Sequence, residues 1–427
     1  MSRLEQTLNK PLAVLVATIV AVVLNVLLYF VLPGMTPLIA PHTKAIGTSL
    51  PEPPTTLQQQ SEAANISSAG DCTGSGGAVL QQEGRGEVSN GKIAFQRFPL
   101  SGPPPYEELY VIDENGTNET RLSDNPAGDE FPHWSPDGQK IAFESLRDGP
   151  TDIYLMDADG TNETRLADSS AMRRAPAWSP DGEKIAFLRS PTESSGNAAD
   201  VYVIDEDGTN ERRLTQTGSD PEARTSLGGP VWSPDGEKIA FSSSAITVTP
   251  PSSDSPESAG ASTAPAEGMT GIYVIDMATA DLCKLTSTGT SPTWSPDGDK
   301  IAFYDNDAIN VINPDGSERR ELIDAVSAQP AQAWSPDGER IAFVRQAELY
   351  VINADGSGQR LLANATETVD LPAWSPDGEK IAFPCPAAPG AVGTDLCVMN
   401  ADGTEWKRVA LKVGPEEVPP AASWGKG

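Results

Sequence analysis

The sequence PHWSPDGQKIAF, residues 132–143, is one copy of a pattern that returns throughout this chain of 427 residues. Its pentapeptide Trp-Ser-Pro-Asp-Gly occurs six times, at 134–138, 178–182, 232–236, 294–298, 334–338 and 374–378. Each copy is followed two residues later by Ile-Ala-Phe. A long pattern that recurs at intervals of 40 to 62 residues predicts a repeat architecture, in which every copy forms one structural unit.

Each repeat contains four short segments in a fixed order, with the consensus sequences P-x-W-S, K-I-A-F, I-Y-V-I-D and R-R-L-T. The second segment occurs seven times, beginning at Lys92, Lys140, Lys184, Lys238, Lys300, Arg340 and Lys380. The third also occurs seven times, at 109–113, 153–157, 201–205, 272–276, 309–313, 349–353 and 396–400. Their short length, apolar and aromatic content and turn-rich flanks predict strands rather than helices.

Two kinds of turn connect these strands. The sequence S-P-D-G joins the first strand to the second, and D-x-D-G variants join the third to the fourth. Proline presets φ and glycine accepts a positive φ, so both sequences are typical of tight turns. Each repeat is therefore predicted to be a four-stranded antiparallel meander, which cannot bury both of its faces alone. Packing the meanders radially around an axis gives an all-β propeller.

The two ends of the repeat tract predict how the ring closes. The tract begins at a second strand, at Lys92, and ends with Ala-Ala-Ser-Trp-Gly at 421–425, which matches a first strand. We expect the C-terminal strand, with Trp424, to complete a seventh blade with residues 92–122. The alternative is a degenerate first strand at 86–91, GEVSNG.

The repeat P-x-W-S-P-D-G-x-K-I-A-F, followed by I-Y-V-I-D-x-D-G and R-L-T, resembles the TolB-type propeller repeat. The resemblance covers residues 91–425 and implies a TolB-like β-propeller over 89–427. TolB proteins are usually described as periplasmic and six-bladed, with a separate globular domain before the ring. This chain departs from that pattern, because it has seven units preceded by an apolar run and a polar segment.

The N-terminal region predicts a membrane anchor and a tether. Residues 11–32 contain one Asn and no formal charge, which is long enough to span a bilayer as one transmembrane helix. Arg3 and Lys10 precede this run, so we expect residues 1–10 in the cytoplasm and the propeller outside it. We interpret 11–32 as an uncleaved signal anchor, with a cleaved signal peptide as the alternative. Residues 33–88, rich in Pro, Ser and Gln, predict a flexible tether.

Charge and cysteine content limit the classes of partner and of site. The formal net charge is −30, which repels the nucleic-acid backbone, so we expect no nucleic-acid partner.

The four cysteines suit an oxidising compartment, and none has the C-x-x-C spacing of a zinc site. Cys385 and Cys397 flank a short connection between two predicted strands, and a disulfide between them is reasonable. Free buried thiols are the alternative.

The residues needed for catalysis are scarce, so we expect no catalytic residues, no metal and no cofactor. The chain has two histidines, His42 in the tether and His133 beside Trp134, and no G-x-S-x-G nucleophile elbow. The seven tryptophans that recur once per blade are expected to pack between blades rather than to form a sugar-binding platform. The D-x-D-G turns lack the full spacing of a calcium-binding EF-hand loop.

The predicted topology separates a uniform face from an irregular one. The S-P-D-G and D-x-D-G turns share the uniform face. The opposite face carries the long connections, at 188–200, 215–229, 242–271 and 384–395. Variable loops on a rigid scaffold commonly carry recognition residues. If the first strand is innermost, the residues before each P-x-W rim the channel mouth. Our candidate binding residues are therefore Glu130, His133, Arg173, Arg174, Ser226, Thr290, Gln329 and Asp370.

These observations favour a membrane-anchored, extracytoplasmic propeller that binds an envelope protein or a cell-surface ligand without catalysis. The main alternative is a carbohydrate-active lyase or hydrolase that uses carboxylates at the channel mouth, such as Glu130 or Asp370. A purely architectural spacer, or a sensory ectodomain that works with another subunit, is a third hypothesis. The low-complexity segment 245–268 is expected to be an expanded loop rather than a partner-binding segment.

Overall fold

The computed structural model describes ten stretches of the chain, all of them in the predicted propeller region. They are residues 90–97, 106–167, 171–190, 199–215, 224–246, 270–324, 332–365, 372–387, 394–414 and 422–426. None of these residues belongs to a helix with the length and apolar character needed to cross a bilayer. The predicted anchor at 11–32, the predicted tether at 33–88 and residues 247–268 of the low-complexity segment lie outside the described residues.

The described residues form 29 strands in seven antiparallel sheets, which we call blades 1 to 7. Blade 1 is β1 (Asn90–Arg97), β2 (Glu108–Ile112), β3 (Thr120–Arg121) and β29 (Ala422–Lys426); blade 2 is β4 (Asp129–Trp134), β5 (Lys140–Ser145), β6 (Asp152–Asp157) and β7 (Thr164–Arg165); blade 3 is β8 (Met172–Trp178), β9 (Lys184–Ser190), β10 (Asp200–Asp205) and β11 (Arg212–Arg213). Blade 4 is β12 (Arg224–Leu227), β13 (Val231–Trp232), β14 (Lys238–Ile246), β15 (Gly271–Asp276) and β16 (Leu282–Lys284); blade 5 is β17 (Thr290–Trp294), β18 (Ile301–Asp305), β19 (Ala308–Ile312) and β20 (Arg320–Ile323). Blade 6 is β21 (Gln332–Trp334), β22 (Arg340–Arg345), β23 (Glu348–Asn353) and β24 (Arg360–Asn364); blade 7 is β25 (Ala373–Trp374), β26 (Lys380–Pro386), β27 (Thr394–Asn400) and β28 (Lys407–Gly414).

The predicted all-β propeller with seven four-stranded blades is confirmed. Six blades have four strands in meander order. In blade 4 the first strand is broken into two pieces, β12 and β13, and both pair with β14. The strand β14 runs to Ile246, so the first two residues of the predicted low-complexity segment belong to a strand.

The ring closes as predicted, through the C-terminal strand. β29 pairs antiparallel with β1, and Trp424 lies opposite Ile93. Asn90 and Gly91 belong to the second strand of blade 1, so the alternative first strand at 86–91 is wrong. Hydrogen bonds between two distant parts of the chain therefore complete blade 1.

The first strands of the blades form the inner wall of the ring. The inner strands β29, β4, β8, β13, β17, β21 and β25 contact one another in sequence, and β25 contacts β29 again. The fourth strands lie at the opposite sheet edge, where side chains such as Thr120 and Arg121 are exposed. The first strand is innermost, as we assumed when we placed the candidate residues at the channel mouth.

The hydrophobic core is divided into seven clusters, one between each pair of neighbouring blades. In blade 2, Ile141 and Phe143 pack against blade 1, while Ala142 packs against blade 3. This alternation follows from the two-residue period of a strand. Because both faces of every blade are covered, the second and third strands are apolar on both sides, as in other fully buried sheets.

An aromatic pair links the second and third strands in five blades. The Phe of K-I-A-F and the Tyr of the third strand have ring centroids 5.5–5.9 Å apart in blades 1, 2, 3, 4 and 6. In blade 7 the tyrosine position is occupied by Cys397, which forms a disulfide with Cys385 across Cα atoms 5.8 Å apart. The disulfide connects the same two strands that the aromatic pair connects elsewhere.

The uniform face is held together by repeated hydrogen bonds within the turns. In the first S-P-D-G turn, Ser135 Oγ donates to Asp137 Oδ1 at 2.6 Å and accepts from the backbone N–H of Lys140. In the neighbouring D-x-D-G turn, the backbone N–H of Ala158 donates to the backbone carbonyl of Gln139 at 2.8 Å. Both kinds of turn therefore lie on the same face, and most of their polar groups are already bonded within the protein.

Gly271 tests how closely neighbouring segments within blade 4 are packed. A Cβ atom at Gly271 would lie 2.0 Å from Thr286 O, whereas one at Gly149 would meet no atom within 4 Å. The two residues have nearly equal φ values, +108° and +112°. We expect Gly149→Ala to cost about 1–2 kcal/mol for the unfavourable φ alone. Gly271→Ala should cost about 1–3 kcal/mol more for the clash.

Urea unfolding of the two variants, followed by far-ultraviolet circular dichroism, measures this difference. Gly149→Ala is the matched control, because it changes the same residue type at nearly the same φ. Equal losses of stability in the two variants would show that the Thr286 carbonyl moves aside at little cost.

Candidate functional site

The inner strands are connected to one another by the repeated tryptophans. Each of five indole Nε1–H groups donates to the backbone carbonyl of the residue before the tryptophan in the preceding blade, at 3.0–3.3 Å. The pairs are Trp178 with His133, Trp232 with Ala177, Trp294 with Val231, Trp334 with Thr293, and Trp374 with Ala333. All seven tryptophans also pack in the clusters between blades. This arrangement agrees with packing between blades.

Three inner strands contain a bulge just before the proline of the P-x-W sequence. Phe131, Ala175 and Ser291 occupy this position in blades 2, 3 and 5, and each has a φ of 53–54°. The pairing of each inner strand with its neighbour shifts at this point. The residue before each bulge, which is Glu130, Arg174 or Thr290, lies opposite the residue that follows K-I-A-F.

Two of these bulges are capped by a side chain from the preceding blade. The backbone N–H of Phe131 donates to Gln96 Oε1 at 2.8 Å, and that of Ala175 donates to Glu144 Oε1, also at 2.8 Å. Gln96 and Glu144 both follow K-I-A-F in their blades. The same contact is therefore made once by an amide and once by a carboxyl group.

Glu144 is the side chain that brings the predicted residues together. It lies directly opposite Glu130 in the antiparallel pair of β4 and β5, and it faces Arg174 on β8 of the next blade. The pKa of the Glu144 carboxyl is raised to about 7, mainly because the group is buried. The hydrogen bond from Ala175 N–H lowers this pKa, and the repulsion from Glu130 outweighs the attraction of Arg174. We call Glu130, Glu144 and Arg174 the mouth cluster.

The members of the mouth cluster are not neutralised by other described residues. No ion pair within 4 Å joins Glu130, Glu144 or Arg174 to any residue that the structure describes. The Nε atom of Arg174 is buried and has no hydrogen-bond partner there. Polar groups in this condition are uncommon in folded proteins and identify the cluster as the candidate site.

Arg173 lies in a different environment from its neighbour Arg174. Its side chain is 2% exposed and lies between blades 2 and 3, with Nη1 3.3 Å from both carboxylate oxygens of Asp152. Its Nη2 donates to Glu211 Oε2 at 2.8 Å. Because successive strand residues point to opposite faces, Arg173 joins a buried ion-pair network while Arg174 remains with the mouth cluster.

His133 lies on the inner strand β4, three residues after Glu130. Its side chain is exposed at the inner wall of the ring, where desolvation by the surrounding protein lowers the pKa of its imidazole. Its backbone carbonyl accepts the hydrogen bond from Trp178. At neutral pH the imidazole is therefore a neutral polar group within the channel.

The other predicted residues either lie apart from the mouth cluster or fall outside the described residues. Thr290 begins β17 and is half-buried opposite Tyr304. Ser226 lies on β12, where its backbone pairs with Ser244. Gln329 and Asp370 lie outside the described residues. Of the eight predicted residues, Glu130 and Arg174 are the two that the mouth cluster brings together.

Sequence reasoning missed Glu144 because it directly follows K-I-A-F and was assigned to a structural strand. Aligning the seven repeats with one another would have identified Glu144. The residues at this position are Gln96, Glu144, Leu188, Ser242, Tyr304, Val344 and Pro384, so that Glu144 is the one ionisable carboxylate. Within the described residues, no group of three or more His, Cys, Asp or Glu side chains has the geometry to hold a metal ion.

No protein-family model and no curated protein matches the chain. Among solved structures, TolB from Acinetobacter baumannii is 21% identical, with a TM-score of 0.47 over 78% of this chain and 66% of its own. This chain spans slightly less than two thirds of that TolB. The seven antiparallel blades and the sequence repeat agree with the expected TolB-like propeller.

Enzymes share the same fold. An oligogalacturonate lyase in complex with manganese is 17% identical, with a TM-score of 0.52 over 76% of this chain and 86% of its own. Puromycin hydrolase is 14% identical, with a TM-score of 0.50 over 71% of this chain and 50% of its own. At these identities the likeness shows the fold alone, so function has to be argued from the site.

Proposed function

We propose that this protein is a membrane-anchored, extracytoplasmic scaffold that binds an envelope protein or a cell-surface ligand at the channel mouth. The observation that carries the proposal is the contrast between its two faces. The turns of the uniform face bond to one another, while the mouth cluster contains charged groups without ion-pair partners among the described residues. A rigid ring that presents charged groups without ion-pair partners among the described residues is suited to recognition.

Capture of partners by the full-length chain tests this proposal. The tagged chain, the double variant Glu130→Gln/Glu144→Gln and the control Glu318→Gln are isolated from detergent-solubilised envelopes. Glu318 lies on the uniform face beside Lys300, so its change removes one carboxylate away from the mouth. We expect a partner that the wild type and the control enrich equally and that the double variant loses. The proposal would be contradicted if the double variant enriched the same partners as the wild type.

A second candidate function is that of a carbohydrate-active lyase or hydrolase. It is favoured by one specific observation, the pairing of Glu130 with a second carboxyl group whose pKa is close to 7. A carboxyl group with a pKa near neutrality can act as a general acid or base beside an ionised neighbour. Turnover of an envelope or plant polysaccharide by the wild type, abolished by Glu144→Gln, would replace the scaffold proposal with this one.

A further inference from the structure

The backbone N–H of Ala175 uses a hydrogen-bond acceptor at position 144, but this hydrogen bond does not require a charge there. Gln96 makes the equivalent contact in blade 1 with a neutral amide, and the two acceptor distances are the same, 2.8 Å. Five other blades have an uncharged residue at this position. The ionisable carboxyl of Glu144 is therefore an addition to the structural requirement.

The charges that face Glu144 leave the mouth cluster with an excess of carboxylate. Glu130 on β4 and Arg174 on β8 are the charged groups that act on it, and the repulsion from Glu130 is the larger of the two effects. When Glu144 is ionised, the cluster holds two negative charges and one positive charge. The chain as a whole carries a net charge of −30, which attracts cations toward its surface.

We infer that the mouth cluster recognises a cationic group of the ligand, an ammonium or a guanidinium, that binds against Glu130 and Glu144. This inference rests on the proposed function and names the chemistry of the ligand that the scaffold takes. A cation at this position balances the negative charge that Arg174 alone leaves over when Glu144 is ionised. An ammonium group also donates up to three hydrogen bonds to the carboxylate oxygens.

Binding of a cation is then coupled to the ionisation of Glu144. Because the pKa of this carboxyl is about 7, the group is largely protonated at pH 6 and largely ionised at pH 8. A bound cation favours the ionised form, so binding at pH 6 has to displace a proton. Affinity therefore rises with pH, by about tenfold between pH 6 and pH 8.

The test is a calorimetric titration of the full-length chain, purified in detergent, with Nα-acetyl-lysine methylamide as the cationic probe. Its Nε-acetylated form is the neutral probe and acetate is the anionic probe. We expect the cationic probe alone to bind, about tenfold more tightly at pH 8 than at pH 6. Titrations at pH 6 in buffers of different ionisation enthalpy should show the release of a proton.

Three variants separate the possible causes. Glu144→Gln keeps the acceptor that Gln96 provides in blade 1, so it should fold normally, bind more weakly and lose the pH dependence. Arg174→Gln removes the competing cation and should strengthen binding at both pH values. Glu318→Gln, on the uniform face, should behave as the wild type. An unchanged urea midpoint verifies that each variant is folded.

Each opposite result overturns the inference. Equal binding of the neutral probe would show that charge is not recognised. Preferential binding of acetate, abolished by Arg174→Gln, would make the cluster an anion site. Failure of the proposed function is distinguishable, because envelope capture would return no mouth-dependent partner while the cationic probe still binds. Conversely, a captured partner whose binding changes neither with Glu144→Gln nor with pH would overturn this inference and leave the proposed function standing.

Discussion

A chain that ends at residue 421, and so lacks β29, should be unable to maintain a stable ring. β29 is the inner strand of blade 1, and it contacts the inner strands on both sides of it, β4 and β25. Its loss leaves β1 as an open edge and uncovers Ile93 and Phe95, which are fully buried in the intact ring. Trp424, which packs against the same cluster, is removed as well.

The expected loss is large compared with the stability of an ordinary domain. Removal of a packed tryptophan alone typically costs about 3–5 kcal/mol, and domains are stable by only about 5–15 kcal/mol. We therefore expect the truncated chain to unfold without urea or at a much lower urea concentration. Tryptophan fluorescence and far-ultraviolet circular dichroism report this change.

A rescue experiment separates the loss of closure from a non-specific effect of truncation. Lys426 lies opposite Asn90, so the C-terminal end of β29 is next to the beginning of β1. Placing residues 420–424 before Lys92 through the linker S-P-D-G-Q makes blade 1 a continuous meander like the other six. This permuted chain should recover the lost stability. Wild-type stability in the truncated chain itself would show that β29 does not hold the ring closed.

Trp374→Ala should produce the second large effect. Trp374 is 8% exposed and packs in the cluster between blades 6 and 7. Its Nε1 donates to Ala333 O at 3.1 Å, and the Arg340 guanidinium lies 4.8 Å from the ring centroid. We expect a loss of about 3–5 kcal/mol, mainly from the cavity, with a smaller part from the unsatisfied carbonyl.

Trp406→Ala is the matched control, because it makes the same chemical change at a residue that is 49% exposed. Trp406 contacts Arg408 at 5.4 Å from the guanidinium carbon to the ring centroid, and such exposed contacts are weak. We expect a loss of about 1 kcal/mol or less. If urea unfolding gave equal losses for the two variants, the tryptophans of the repeat would not be the links between blades that we describe.

The two interfaces that flank β29 differ from the other five. The Nε1 atoms of Trp134 and Trp424 are buried without a hydrogen-bond partner within the described residues. At Gly425, which replaces the serine of the repeat, a Cβ atom would lie 2.8 Å from the Trp134 indole. These interfaces therefore lack the indole–carbonyl bond that connects the other inner strands. This supports the expectation that stability depends strongly on the pairing of β29 with β1.

Much of the fold was predictable because the relevant information is local and repeated. The alternation in K-I-A-F, the turn residues of S-P-D-G and the spacing between them specify strand, turn and strand within about 12 residues, and each repeat confirms the others. The position of Trp424 was enough to predict closure, because one first strand was missing at the beginning of the tract and one was present at the end.

The candidate site was predictable only in part. The sequence identified Glu130 and Arg174 by their position before the proline, but it grouped Arg174 with Arg173. The structure separates them, because strand alternation directs Arg173 into the buried network with Asp152 and leaves Arg174 facing Glu144. No pattern within one repeat contains this distinction, since the partners of both arginines lie in other strands and in the preceding blade.

The sequence by itself determined the number of blades, the order of their strands, the face on which the regular turns lie and the strand that closes the ring. Those properties depend on contacts between neighbours in the chain and on a count of repeats. Only the tertiary structure decided that Glu144 belongs to the candidate site. Its pKa depends on burial and on two charges, one on the adjacent strand and one in the next blade. These charges act through space, so the sequence of one repeat does not reveal them.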